Sequence, residues 1–493
     1  MKMKIYTVVA AAALSLGLAS CSDDYFDTEY HRGVNSDGAL SNTTIIQSAL
    51  TGAYAEFYDY RFAGNYAMNI GDIPTDLSYW NTQTGHFDDI YRYSYDDTDL
   101  YLGYIWMYGY KVVDYTARVI KAGNALTATV GDEDKATLEQ ELAEAYALRA
   151  YANLLLVNVY GHQIKVNGQD FSSQPGIVIS DEPIEVTATV SRSTVGESYK
   201  HIVDDLKQAL AHFANCDGGR SDKTYINQAA AEGLLARVYL YMEDWGNAKT
   251  YAQKALTDAQ INGLTYTTAD YKALYNGGAS NTESLFYLSI DASHNWSANS
   301  CGTLWSTYNY SPSPKLQAMY SDTDVRKAIM GWDKTSTESV PVYAGGKFAA
   351  YGSGNPANAT SYLINAPEMY LIMAEADLQK GNLSNAQSEL LVVAKRNTAI
   401  ATVADLPQTK DALYSFLKDE RARELFQEGL RLWDLRRWGD VAQVEAYNAP
   451  AVTFRSNNYN ISDLVFPIPA DEINAKKGVT QNEGWNKLVP QTN

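Results

Sequence analysis

The sequence predicts a mainly α fold: a stack of tetratricopeptide-like helical hairpins joined to a large, irregular, loop-rich half. Three observations carry this. Apolar residues recur at helical spacing in one segment after another. Two pairs of these segments have the small-and-large residue spacing of helical repeats about 34 residues long. Two stretches, 64–98 and 261–364, lack that period and are rich in polar, glycine and aromatic residues. So long an irregular stretch is costly in a packed domain unless it has a use.

Taken in order, Lys2 and Lys4 precede an apolar run from Ile5 to Ala19 that ends in Leu18-Ala19-Ser20-Cys21. A basic start, a short apolar stretch and small residues at a cut are the layout of a secretory signal. A permanent membrane span needs about 20 apolar residues, more than this run supplies. A cysteine at the cut resembles a bacterial lipobox, which implies a signal peptide over 1–20 and lipidation of Cys21. Residues 21–40, polar and rich in Gly and Asp, read as a lipidated tether, and 41–493 as the body.

Helices are predicted near 41–60, 99–122 and 133–160. The last is apolar on most sides, from Leu138 and Leu142 to Leu156 and Val159, so it is buried between others. Asp132, Glu133 and Asp134 suit its positive end, and Gly161 stops it. Thr194 and Glu197 form a capping box for a helix reaching Phe213. Asn227 caps a helix ending near Met242; a turn through Glu243–Asn247 leads to a return helix from Ala248 to Ala259. A second hairpin is expected to start with a capping box of Asn365 and Glu368, stop at Gly381 and return under a cap of Ser384 and Gln387. The repeat units thus cover about 133–260 and 365–397. Ser284 to Ile290 reads as a strand, and a last helix pair covers about 410–437.

Composition narrows the function. A net charge of −19 disfavours nucleic acid and anionic membrane surfaces as partners. Six scattered His and three Cys show no metal-ligand spacing, and no cofactor motif is present. Gly345-Gly346-Lys347 lacks the rest of a phosphate loop. Spacing leaves open whether Cys216 and Cys301 pair. The chain has 38 Tyr and 9 Trp against 12 Phe. Such rings offer an apolar face and a polar edge, which suits sugar rings and protein interfaces alike.

Four stretches resemble the SusD/RagB family of outer-membrane nutrient-binding lipoproteins: Ala143-Glu144-Ala145-Tyr146-Ala147-Leu148-Arg149-Ala150-Tyr151 closed by Tyr160-Gly161; Ser191-Arg192-Ser193-Thr194-Val195 with Ile202 and Asp205-Leu206; Glu420-Arg421-Ala422-Arg423-Glu424-Leu425-Phe426-Gln427-Glu428-Gly429 with Arg431, Asp434-Leu435 and Arg437-Trp438; and Phe466-Pro467-Ile468-Pro469 with Glu472-Ile473 and Gln481-Asn482. With the lipobox they span nearly the whole chain in family order. His162-Gln163-Ile164 departs from the family's usual turn after Gly161. The resemblance implies a SusD-like α-α superhelix, a family-type C-terminal region over about 284–493, and a non-enzymatic protein on the outer face of the outer membrane. Such a protein captures glycan and passes it to a TonB-dependent, SusC-like transporter. A peptide or glycopeptide ligand, a lipid-anchored glycoside hydrolase, and a scaffold without a small ligand are the alternatives.

The resemblance places an aromatic platform with amide donors on the loops around Trp80 and Asn81, and around Trp296, Trp305 and Tyr308. Trp106, Trp433 and Trp438 fall on helices and read as core. Glu420, Glu424, Glu428 and Arg431 recur on one helical stripe, continued by the Asp434–Arg437 pair. Each acid has an Arg within helical reach. That predicts a structural ion-pair network with depressed carboxylate pKa values, rather than an acid–base pair for glycoside hydrolysis. Asp88-Asp89 and Asp96-Asp97 read as solvated loop acids.

Overall fold

The computed structural model describes residues 40–80, 84–185, 187–308, 310–330, 332–333, 342–343, 345–446 and 457–487. The signal peptide, Cys21, the tether and Asn81 lie outside the described residues. The fold is mainly α. Its long helices are α1 (Thr43–Tyr58), α2 (Leu100–Leu126), α3 (Asp132–Tyr160), α4 (Val195–Phe213), α5 (Gln228–Tyr241), α6 (Trp245–Asp258), α7 (Ala366–Gln379), α8 (Leu383–Ala394), α9 (Lys410–Leu425) and α10 (Arg431–Trp438). From α1 to α8 each helix packs on the next, and α9 lies on α7. This continuous file of neighbours buries faces that no single hairpin covers alone. Among the described residues no helix is long and apolar enough to cross a membrane.

Local chemistry explains most of the helix ends. The α4 capping box forms: the Thr194 N–H donates to Glu197 Oε2 at 2.8 Å, and the Glu197 N–H donates to Thr194 Oγ1 at 3.1 Å. Asn227 Oδ1 accepts from the Ala230 N–H at 3.1 Å. Three acids occupy the first turn of α3, and Gly161 follows its last turn.

The departures have tertiary causes. Asn365 and Glu368 make no capping box at α7. Glu368 is bound by the buried Arg237 guanidinium at 2.8 and 2.6 Å, while Asn365 Nδ2 donates to Glu428. A buried arginine left unpaired costs more than a missing cap, so the tertiary partner wins. Gln387 likewise donates to the Pro407 carbonyl, and α8 starts at Leu383. Helix α6 starts at Trp245, inside the expected turn, because Asp244 caps it through the Asn247 N–H.

The irregular half is held by short strands and tyrosines. Strand β1 (Ser78–Trp80) pairs antiparallel with β3 (Tyr310–Pro312) and parallel with β5 (Val441–Ala446), which pairs with β6 (Asn457–Asn460). Strand β2 (Ser284–Leu288) pairs with β4 (Ser361–Asn365). The register sets Trp80 opposite Tyr310, so the loops around 60–98 and 290–310 lie side by side. Buried tyrosine hydroxyls serve carbonyls that no ladder reaches: Tyr93 donates to Pro74, Tyr310 to His86 and Tyr320 to Arg423. A loop covered by other chain needs such donors, and this is a third use of the tyrosine surplus beside ligand stacking and interfaces.

Candidate functional site

The turn after α1 gathers the candidate site. Asp59 accepts from the Arg61 backbone and guanidinium at 2.8–2.9 Å, which bends the chain and lays Arg61 over the Tyr108 ring, 4.1 Å from its centroid. The Tyr66 N–H donates to the Tyr60 carbonyl at 2.8 Å. Asn65 Nδ2 donates to the Asn299 carbonyl at 2.7 Å, and the Cys301 thiol contacts the Gly64 carbonyl. These bonds fix 59–66 against 296–301.

Trp296 lies over Gly64. A Cβ on that glycine would stand 2.7 Å from Trp296 Cη2. The half-buried indole also meets Tyr58, ring centres 6.1 Å apart, and the Tyr58 hydroxyl is anchored on the Ser289 carbonyl. A chain of rings continues from the same turn. Tyr66 contacts Tyr60, Tyr101 and Tyr104; Phe87 stacks on Tyr101 at 4.0 Å; and His86, next along, stacks on Tyr308 at 4.4 Å with the planes 16° apart. Tyr60, Arg61, His86, Tyr101, Tyr104 and Tyr308 are all half-buried, so each keeps part of its surface open. Burial lowers the His86 pKa against the opposing pull of Asp88, which keeps the ring neutral at pH 7. Phe87 and Tyr93, flanking the short helix Asp88–Arg92, both hold positive φ, 56° and 57°. That costs about 1–3 kcal/mol per residue and persists only where the surroundings impose it.

The other expected platform residues take different places. Trp80 is 3% exposed; its Nε1–H donates to the Thr84 carbonyl, and Arg92 covers its ring. Trp305 is 1% exposed, donates to Asn69 Oδ1 at 2.7 Å and packs edge-on against Phe426. Both correct the expectation of open stacking faces: the irregular loops fold over these indoles. Trp296 and Tyr308 retain accessible ring surface. Tyr58, Tyr60, Arg61, His86, Tyr101 and Tyr104 were not picked out by sequence reasoning, though the dense Tyr58-Asp59-Tyr60-Arg61 run was a usable signal.

Asp88 and Asp89 are held by Arg92, and Asp96 accepts from the Thr98 N–H and hydroxyl. Among the described residues no three His, Cys, Asp or Glu side chains converge as metal ligands would. Cys216 and Cys301 are free thiols, and burial pushes them up to about 11 and about 12.

Residues 266–485 match the family model of the SusD family, and residues 24–240 match a SusD-like model described as starch-binding and associating with the outer membrane. The chain belongs to the SusD/RagB family. A SusD-like protein of Bacteroides ovatus is 23% identical over 425 residues, which is 77% of this chain and 72% of the relative. A SusD superfamily protein of Bacteroides thetaiotaomicron superposes with a TM-score of 0.79 at 23% identity, covering 90% of this chain and 99% of the other. A SusD-like carbohydrate binding protein of Bacteroides vulgatus gives 0.70 at 21%, covering 85% and 89%.

In this SusD/RagB chain the charged stretch 420–437 is buried and ion-paired. Glu420 meets Arg326 at 2.7 Å and Arg423 at 2.6 Å; Glu424 meets Arg326 at 2.9 Å and Arg396 at 3.4 Å. Arg431 is bidentate to Asp76, Asp434 joins Arg421 and Arg437, and Arg437 is bidentate to Glu375. Glu428 departs from the expectation. Its cation is Lys347, at 2.5 Å, rather than an arginine of the same stretch. Burial outweighs that lysine and raises the Glu428 pKa.

These groups predict an asymmetric pH profile. Burial would raise Asp76 and Glu420, but Arg431 with Lys315, and Arg326 with Arg423, bring each down to about 2. Folded values below the unfolded ones mean stability that is complete above about pH 5 and lost as pH falls toward 2, roughly 2–3 kcal/mol per group. Asp72 and Glu144 oppose this, since burial pushes each to about 7 and their contribution declines as pH rises from about 4 to 7. From these four groups the melting temperature should therefore peak near about pH 4, where the two opposing contributions balance, and fall on either side. A melting temperature that rises steadily down to pH 3 would contradict the assignment.

Proposed function

We propose that this protein is a cell-surface glycan-binding lipoprotein. In this reading residues 1–20 direct export, Cys21 carries the lipid, 21–40 form the tether, and the loop-rich side of the body captures an oligosaccharide or polysaccharide. The protein then delivers it to a TonB-dependent outer-membrane transporter and catalyses nothing itself. One observation carries the binding step: the half-open rings of Trp296, Tyr58, Tyr60, Tyr101, Tyr104, His86 and Tyr308 form a band around a single braced turn. The starch-binding description of the matching family model, and the carbohydrate binding named for the Bacteroides vulgatus neighbour, support the same ligand class.

Sugar C–H faces stack on such rings while Arg61 and the tyrosine hydroxyls meet the hydroxyl edges. Each aromatic contact adds about 1 kcal/mol beyond buried area, giving an affinity of roughly micromolar to millimolar. Modest affinity suits a protein that must release its cargo.

Affinity electrophoresis in gels cast with different polysaccharides tests the reading. One polysaccharide should retard the wild type, and Trp296→Ala should weaken that retardation roughly fivefold. Trp80→Ala should act only through stability, because its ring is covered. Retardation by no glycan, or retardation untouched by Trp296→Ala and Tyr308→Ala together, defeats this site. Release of reducing sugars would favour a hydrolase.

A further inference from the structure

We propose that the groove along the outer face of α2 is a docking site for a basic, apolar-faced segment of a partner protein. Helix α2 is covered by α1 and α3 on its other sides. Its remaining face carries Leu100, 59% exposed, and Met107, 49% exposed, seven residues apart on one stripe, with Tyr115 beyond and Ile184 on the facing wall. Exposed apolar side chains clustered in one concavity mark an interaction surface more often than scattered ones do.

The groove is built before anything enters it. Its volume is about 830 Å³, within the range of binding clefts. One wall is formed by residues of 178–185 and 187–190 and the other by 469–477. The Val190 N–H donates to the Lys477 carbonyl at 2.7 Å, Val178 N–H to the Tyr110 hydroxyl at 2.9 Å, Ala470 N–H to the Asp97 carbonyl at 2.7 Å, and Trp106 Nε1–H to Glu472 at 3.1 Å. Both walls are therefore pinned to α2 or to each other. From Leu100 to Tyr115 the floor is about 22 Å long, room for about seven extended residues.

Charge selects the occupant. Six carboxylates line the groove against two lysines, with Glu185 and Asp471 exposed at the rim. Lys111 is engaged by Glu56 and the Tyr108 ring, and Asp114 by Arg118. Lys and Arg stems lie along apolar floors with their charged ends at such a rim. The chain's own N-terminal segment carries Asp23, Asp24, Asp27 and Glu29, and a second copy carries −19, so both have the repelling sign. Tyr104 borders both this groove and the aromatic band.

The test is fluorescence anisotropy of a labelled ten-residue peptide of alternating Leu and Lys, titrated with the purified full-length protein. Binding should saturate, weaken with salt and exceed that of the Leu/Glu counterpart. Met107→Lys with Ile184→Lys should weaken it at least about tenfold at an unchanged melting temperature, because both side chains are exposed. Glu185→Lys with Asp471→Lys should weaken it and flatten its salt dependence. No saturation up to about 1 mM, equal binding of the Leu/Glu peptide, or indifference to both double variants overturns the proposal. So does a concentration-dependent dimer in sedimentation that Met107→Lys abolishes, which would assign the groove to a second copy.

Discussion

Arg326→Met should destabilise the protein by about 3–5 kcal/mol, which for a body of this size lowers the melting temperature by about 4 °C. The guanidinium is fully buried and binds three carboxylates: Asp324 through Nε and Nη2 at 2.9 and 2.8 Å, and Glu420 and Glu424 through Nη1 at 2.7 and 2.9 Å. Methionine fills much of the volume but leaves those charges short of a cation in a dry interior. Replacing a whole buried cluster by apolar residues is often neutral, whereas removing one member is not. The pH dependence distinguishes this cause from simple loss of packing. Arg326 is one of two cations holding Glu420 down to about 2, so in the variant its folded value rises. The deficit relative to wild type should be widest near pH 7 and should narrow toward about pH 4, where the carboxyl takes up a proton. A cavity would give the same deficit at both. Thermal melts of the two proteins across that range decide it.

That cluster also shows where the sequence stops being informative. The stripe Glu420, Glu424, Glu428 is visible from helical spacing alone, and so is its structural rather than catalytic character. Its partners are not visible. Arg326, Lys347 and Arg396 come from other parts of the chain, and only the folded topology brings them within 3.4 Å. The long helices were legible because periodicity and capping are local. The sheet β6-β5-β1-β3 was not, because β1 and β3 are three-residue segments more than 200 residues apart. The same blindness misplaced Trp80 and Trp305. A tryptophan in a polar loop looks unfit for a core when only its neighbours in sequence are weighed, yet these loops close over both rings. Trp296 stays half-open because Gly64 brings the backbone up under one side of it and leaves the rest uncovered.

Gly429→Ala should cost a further large amount, roughly 3–5 kcal/mol, and should also loosen the aromatic band proposed to bind glycan. Gly429 follows α9 at φ +73°, a region a Cβ disfavours by about 1–3 kcal/mol. A Cβ there would also stand 2.5 Å from the Met68 carbonyl oxygen, and one on Gly71 would meet the Gly429 oxygen at 2.0 Å. Both neighbours are backbone, so the segments must separate, at an overpacking cost of about 1–3 kcal/mol. Separation breaks the Gly429 N–H bond to Asp72 at 2.8 Å and the Leu432 N–H bond to the Gly71 carbonyl at 2.7 Å. The displaced segment runs directly back through Asn69, which holds the Trp305 indole, to Gly64 under Trp296. Gly381→Ala is the matched control: its φ is +81°, but its Cβ would meet nothing within 4 Å, so it carries the conformational cost alone. Gly429→Ala should be less stable than Gly381→Ala by about 1–3 kcal/mol and show weaker retardation by the polysaccharide that retards the wild type, whereas Gly381→Ala should be retarded as the wild type is. Equal losses of stability in the two variants would mean that the backbone pinch between Gly71 and Gly429 does not hold the aromatic band in place.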